Sequence, residues 1–479
     1  MSRHFLWYDL ETFGRDARRS RIAQFGAQRT DENLEPVEEA QMFFCRPADD
    51  LLPSPGACLI TGITPQQAQA EGLPEAEFAA RIFDEMCRPD TCVAGYNSYR
   101  FDDEFIRNLF YRNFLDPYER EWRNGNSRWD LIDAVRMARA LRPGGIVWPL
   151  RDDGAPGFKL EQLAGANGLV HSRAHDALSD VEATIALARL LRQTQPKLFD
   201  YALDLRDKRR AAALLDYANM TPVLHISQRY PAAQGCGRLV LPLCPHPQIS
   251  NQIIVCDLAD DPTPLIELPA EDILDRLYTP RADLPEGVAR IGLKQVHLNR
   301  APILIELRHL SPEQQTVFGI DLERELAHAQ RLRDTPRLAE KVRQVFGQSR
   351  PDDIELDPDL AIYTGFPDHH DKRLFGQVRR QRKQAPDGGQ FGFNDPRYEE
   401  LAFRFRARNW PDALPADDHA RWQQHRRERL ASGSELSEYD FDTYFAEIAQ
   451  LRATPDTGPD AHRILDALED WGRQLRRSL

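Results

Sequence analysis

Two carboxylates, Asp9 and Glu11, interrupt the apolar run Phe5-Leu6-Trp7-Tyr8-Asp9-Leu10-Glu11. In a strand, side chains alternate between faces, so both acids point one way while Tyr8 and Leu10 point the other. Two like charges side by side on a largely buried strand are costly unless something positive lies between them. Two later stretches echo this pattern. In Gly95-Tyr96-Asn97-Ser98-Tyr99-Arg100-Phe101-Asp102-Asp103, acids open a helix directly after a strand. In His171-Ser172-Arg173-Ala174-His175-Asp176-Ala177-Leu178-Ser179-Asp180, Asp176 suits a helix N-cap, which leaves His175 just outside the helix and Asp180 about one turn inside it. Taken singly, a capping aspartate or a surface histidine is the commoner use of each residue. Taken together, acids at a strand and at two helix starts make an oxygen-rich site for a hard divalent cation, with a histidine able to move a proton near neutral pH.

The elements that must position these groups form an α/β unit. Segments 4–13, 21–30 and 40–46 read as three consecutive strands, antiparallel neighbours, and Cys92–Tyr96 reads as a fourth. Helical spacing predicts helices over 75–88, where Phe78, Ile82, Phe83 and Met86 recur, and over 101–114, 129–141 and 176–193. This pattern gives a mixed sheet flanked by helices. From 196 to 350 short β-like pieces (Val223–Ile226, Arg238–Leu243, Gln252–Val255, Gln295–Leu298, Ile303–Leu307) are broken by proline and glycine, as in a small barrel. The polar, turn-rich stretch 348–353 reads as a linker, after which the chain becomes helical and rich in arginine. The division expected is therefore 1–195, 196–350 and 351–479.

Length supports more than one domain, since the chain has 479 residues. No run approaches the roughly 18 apolar residues of a membrane span, and Asp9 and Glu11 break the layout of a signal peptide. The seven cysteines are scattered and form no CxxC, which suits reduced thiols in a cytoplasmic protein and excludes a disulfide framework or a cysteine zinc site. A net charge of −13 argues mildly against non-specific binding to polyanions, yet 62 lysines and arginines leave room for a local basic groove.

The set DxE, NxxxFD and HxxxxD resembles the DEDDh class of 3′→5′ exonucleases on a ribonuclease-H-like fold. The surrounding phrases YDLETFG, LITGITPQQA, GYNSYRFDDEFIRNLFYRNF, NSRWDL and HDALSDVEAT are similar to the bacterial exodeoxyribonuclease I family, with the resemblance most specific in the first 195 residues. It implies an exonuclease domain, an SH3-like β-barrel domain and a C-terminal helical domain. It further implies two Mg²⁺ ions, with Mn²⁺ as a possible substitute. Asp9, Glu11 and Asp180 would be direct ligands, with Asp102 helping to hold the second ion and His175 acting as general base.

Holding a single strand needs guanidinium groups for phosphates and rings for bases. Arg107, Tyr118 and Trp122 follow the second acidic motif and are the candidates for DNA contact. By resemblance, Lys159 grips the substrate near the scissile end, while Glu11 and Thr12 meet the terminal nucleotide. Basic runs at 208–210, 379–383, 404–408 and 425–427 are candidate linings of a channel for single-stranded DNA. The resemblance also implies a monomer, processive digestion in DNA repair and recombination, and a basic pocket, with Arg142 contributing, for the acidic tail of single-stranded-DNA-binding protein. Two rival readings are a 3′→5′ exoribonuclease and a non-catalytic DNA-binding scaffold. The long chain after the exonuclease region speaks against the first, and the intact five-residue set against the second.

Overall fold

The computed structural model describes residues 4–169, 176–347, 356–381, 390–454 and 458–479. His175, the expected linker at 348–353, and Arg382 and Lys383 of one basic run lie outside these residues. The chain divides into two compact units, one made of 1–127, 171–182 and 354–479, the other of 128–170 and 183–353.

In the first unit, β1 (His4–Thr12) lies between β2 (Ile22–Thr30) and β4 (Thr91–Gly95), and β3 (Gln41–Phe44) pairs with the far edge of β2. The β1–β2 and β2–β3 pairs are antiparallel and β1–β4 is parallel, so the sheet is mixed, as the sequence led us to expect. Leu6, Tyr8 and Leu10 share one face of β1 and pack with Phe25, Phe43 and Val93. Helices Glu75–Met86 and Asp102–Arg112 cover that face, contributing Phe78, Ile82, Phe105 and Leu109. Two short helices, Pro55–Thr61 and Pro65–Glu71, were not legible as helices in the sequence. Each is seven residues long and starts with proline behind a side-chain cap, Ser54 or Thr64, so local capping specifies it more than any apolar period does.

The helix Ala177–Thr194 begins over the border between β1 and β2. Asp176 caps it, accepting the Ser179 N–H at 3.2 Å, and the Ala177 N–H donates to Gln24 Oε1 at 3.1 Å. Gln24 and Gly26 are the β2 partners of Glu11 and Asp9. A Cβ at Gly26 would lie 2.6 Å from the Ala177 carbonyl carbon, so only glycine lets the helix start come down onto the strand beside the two acids.

The last third of the chain completes the same unit with helices His369–Arg380, Arg397–Asn409, Ala416–Leu430, Phe441–Arg452 and Pro459–Arg477. Its arginines enter buried ion pairs. Arg408 meets Asp50 at 2.9 Å and Asp359 at 2.5 Å, and Arg404 meets Asp357 and Asp359 at 2.6 and 2.9 Å.

A short strand, β5 (Ser127–Asp130), starts on the last residue of the first unit's opening segment and leads into the helix Leu131–Leu141 of the second unit. Strands β6 (Val223–Ile226), β7 (Gly237–Pro245), β8 (Gln252–Asp257), β9 (Leu293–His297) and β10 (Ile303–Glu306) fall where the five β-like pieces were expected, in the order β10-β6-β7-β8-β9, all antiparallel. Among the described residues the sheet is open, without a β9–β10 pairing that would close a barrel. One face is instead filled by Ile273, Ala329, Leu332, Val342 and Val345 from helices packed against it. All seven cysteines are free thiols, and no described helix is long and apolar enough to cross a membrane.

The close approach at Gly26 yields a direct test. Gly26→Ala should lower stability by about 1–3 kcal/mol in urea unfolding, because the added methyl meets backbone that must shift; an unchanged unfolding midpoint would refute the contact.

Candidate active site

Asp9 and Glu11 face away from the core that Tyr8 and Leu10 enter, as strand alternation requires. The register of β1 on β2 shifts between Glu11 and Thr12, so the regular strand ends just after the second acid. Asp102 reaches the site from another direction. Strand β4 stops at Gly95, Asn97 takes a left-handed conformation (φ 62°), and a short turn at Ser98–Arg100 delivers Asp102 as the first residue of its helix. Asp180 lies in the first turn of Ala177–Thr194. Both helix starts supply partial positive charge close to an acid.

The carboxylates of Asp9, Glu11 and Asp180 converge, with one oxygen from each lying within 4.8 Å of the others. Burial, and then the charges of Asp102, Asp180 and Glu11, hold the Asp9 carboxyl well above the usual carboxylate range. Glu11 is pushed up to about 8 by burial and by Asp180 and Asp176. Acids that raise one another in this way form an unfavourable arrangement on their own and a favourable one around a cation. Oxygen-only donors at this spacing fit a hard divalent metal ion. Asp102, itself buried, is the first of the neighbouring charges acting on Asp9, and so belongs to the same cluster.

Of the strand-contact candidates, Trp122 is 62% exposed. Tyr118 meets the ring of Phe366 edge-on at 5.8 Å, and Phe366 is itself 79% exposed. Arg107 is buried, and its guanidinium is held by Glu104 at 2.8 Å and Glu121 at 2.8 Å, 5.3 Å from the Tyr118 ring centroid. It braces that ring and has its charge already matched. Thr12 is buried, with its hydroxyl donating to the Gly14 carbonyl at 2.7 Å. Lys159 is exposed ahead of the helix Leu160–Ala166, and Arg142 is exposed after Leu131–Leu141; both belong to the second unit. Among the basic runs, Arg404, Arg408 and Arg426 are taken up by buried acids or backbone carbonyls, whereas 208–210 is exposed.

Sequence reasoning missed three contributors from the last third of the chain. Exposed Tyr363 and Phe366 approach the second motif, Tyr363 bonding to Glu104 and Phe366 meeting Tyr118. Their only signal was a pair of rings in the short segment Ile362-Tyr363-Thr364-Gly365-Phe366. The third, Glu438, accepts the backbone N–H groups of Arg15 at 2.9 Å and Asp16 at 3.3 Å, closing the turn that follows the first motif. Gly14 leaves room for that carboxylate. A cleft of about 480 Å³ runs between these elements, lined by Arg15, Arg18, Arg100, Phe101, Tyr363 and Glu438 among others.

Comparison with known proteins agrees with this geometry. Residues 6–188 match the family model for exonucleases, 206–348 the exonuclease I SH3-like domain and 356–475 the exonuclease I C-terminal domain. Exodeoxyribonuclease I of Escherichia coli (strain K12) is 45% identical over 424 residues, covering 88% of this chain and 89% of that protein. The structure of a moderately thermophilic exonuclease I from Methylocaldum szegediense superposes with a TM-score of 0.93 at 46% identity over 99% of both chains. That of E. coli exonuclease I in complex with a dA16 oligonucleotide gives a TM-score of 0.93 at 41% identity, covering 99% of this chain and 100% of the other. With matching domains along its length and close relatives over most of it, the chain belongs to the exodeoxyribonuclease I family.

Proposed function

We propose that this chain is a 3′→5′ exodeoxyribonuclease that digests single-stranded DNA and releases 5′-mononucleotides. The observation that carries the proposal is the convergence of the Asp9, Glu11 and Asp180 carboxylates beside buried Asp102. The E. coli relative, described as exodeoxyribonuclease I and captured with a dA16 oligonucleotide, supports the choice of substrate. The proposal carries the rest of the family's character with it: a monomer, working processively in the cytoplasm in repair and recombination, able to dock the acidic tail of single-stranded-DNA-binding protein. Its domains divide near residues 195 and 350.

In this reading Asp9, Glu11, Asp102 and Asp180 hold two Mg²⁺ ions, or Mn²⁺ in their place. When bound, the ions supply a water of lowered pKa and positive charge for the departing 3′-oxygen. His175 takes the proton from the attacking water. Tyr118, Trp122 and Phe366 present ring faces on which bases stack without sequence being read. Arg107 keeps the Tyr118 ring in place, and Lys159, Glu11 and Thr12 meet the terminal nucleotide.

Three outcomes test this reading. With Mg²⁺, a 5′-end-labelled single strand should shorten to a ladder from its 3′ end while duplex DNA and RNA resist; digestion from the 5′ end, or equal attack on duplex, would overturn it. His175→Ala should retain metal binding and lose about 10²-fold or more in turnover, the scale of a general base; near-normal turnover removes His175 from the mechanism. The third concerns pH. Glu11 ionises near its ordinary 4.5 when unfolded and about 8 when folded without metal. The folded state therefore binds more protons across that window, and metal-free stability should fall as pH rises from about 4.5 to 8. Melting curves in EDTA should show this slope and curves in excess Mg²⁺ should flatten it; identical slopes would contradict a metal role for the acids.

A further inference from the structure

Directly behind the acids lies a buried polar cluster that the proposed chemistry does not use. The Tyr8 hydroxyl donates to Asp103 Oδ1 at 2.7 Å, and Arg120 Nη2 meets the same oxygen at 2.5 Å. All three side chains are buried, Arg120 completely. Burying an ion pair gains little stability over well-packed apolar side chains of similar volume, so its presence calls for a reason of geometry.

The positions of its members supply one. Tyr8 immediately precedes Asp9 on β1, Asp103 immediately follows Asp102 at the helix start, and Arg120 lies midway between Tyr118 and Trp122. One carboxylate oxygen thus joins the strand bearing the first acids, the helix bearing the second motif and the loop bearing two base-stacking rings. The loop consists of short 3₁₀ turns, Glu119–Glu121 and Arg123–Gly125, with Asn124 in a left-handed conformation (φ 56°), and has no regular ladder to hold it. Arg107 adds a second tie from the same helix, bonding Glu121 at 2.8 Å.

We propose that Tyr8, Asp103 and Arg120 are positioning residues, which fix Asp9 and Asp102 relative to one another and to the Tyr118–Trp122 loop. A strand held by the loop is thereby presented to the acids at a set distance. Arg120 also meets the charge of Asp103, the acid adjacent in sequence to Asp102. This inference rests on the nuclease reading above and deepens it. Groups that orient metal-binding acids without touching the metal typically alter affinity or activity by about 10- to 100-fold when removed.

The test compares Tyr8→Phe, Asp103→Asn and Arg120→Lys with the parent chain. Thermal unfolding, Mn²⁺ affinity without DNA (by electron paramagnetic resonance), and kcat and KM on an oligo-dT are measured for each. Asp103→Asn is expected to bind Mn²⁺ about 10-fold more weakly and to lose about 10- to 100-fold in kcat, and Arg120→Lys to raise KM. Tyr8→Phe, which keeps both the ion pair and the ring, should lower kcat while its unfolding temperature stays close to the parent's. Variants that melt earlier yet keep Mn²⁺ affinity, kcat and KM within about twofold overturn the inference, since a merely structural pair would do only that. Mn²⁺ affinity is read without turnover, so a parent chain that failed to digest DNA would count against the nuclease reading alone.

Discussion

Four acids brought together in a partly buried place repel one another, and the first unit is organised around holding them there. Asp9 and Glu11 stay because β1 is paired on both sides and anchored by Leu6, Tyr8 and Leu10 beneath. Asp180 stays because Gln24 and the missing side chain of Gly26 seat its helix on β2. Asp102 stays because the chain turns sharply at Asn97. The four acids come from three elements, Asp9 and Glu11 from β1 and the other two from separate helix starts. The repulsion is therefore borne by the elements that hold the acids, and it is relieved by protons at lower pH or by a cation.

Elsewhere in the same unit, buried charge is handled in the opposite way. Asp50 lies among Arg408, Arg429 and Arg21, whose charges hold its carboxyl far below the usual range, and Glu75 is similarly lowered by Arg112 and Arg21. The pairs of Asp50 with Arg408 and Arg429 join the last third of the chain to the sheet region. Burial alone would raise both acids as it raises Asp9 and Glu11; the guanidinium groups reverse the sign. A carboxylate met by guanidinium groups ties elements together, whereas carboxylates that raise one another make a binding site.

Much of this was legible locally. The alternation in Tyr8-Asp9-Leu10-Glu11, the N-cap at Asp176 and the helical spacing of Phe78, Ile82 and Met86 are short-range patterns, and the elements appear within a residue or two of where those patterns put them. Which charge meets which was not legible, whether the partners are near in the chain or far apart. Arg404 and Arg408 look in sequence like a basic stripe for a polyanion, and only the fold reveals that Asp50, Asp357 and Asp359 have claimed them. The same holds for Arg107, whose type suits a phosphate but whose neighbours Glu104 and Glu121 occupy it. Net charge and residue runs count charges; they do not say which are already matched.

The carboxylate of Glu438 on the Arg15 and Asp16 amides has a consequence in time. Bond donor and acceptor are separated by 423 positions in the chain. At about 5–20 residues per second on the ribosome, the turn after the first two acids waits roughly 20 to 85 s for its cap. The N-terminal sheet can form early, yet the edge of its acidic site is finished only once Glu438 has been made. A nascent fragment that stops short of Glu438 therefore holds the acids without the full frame around them.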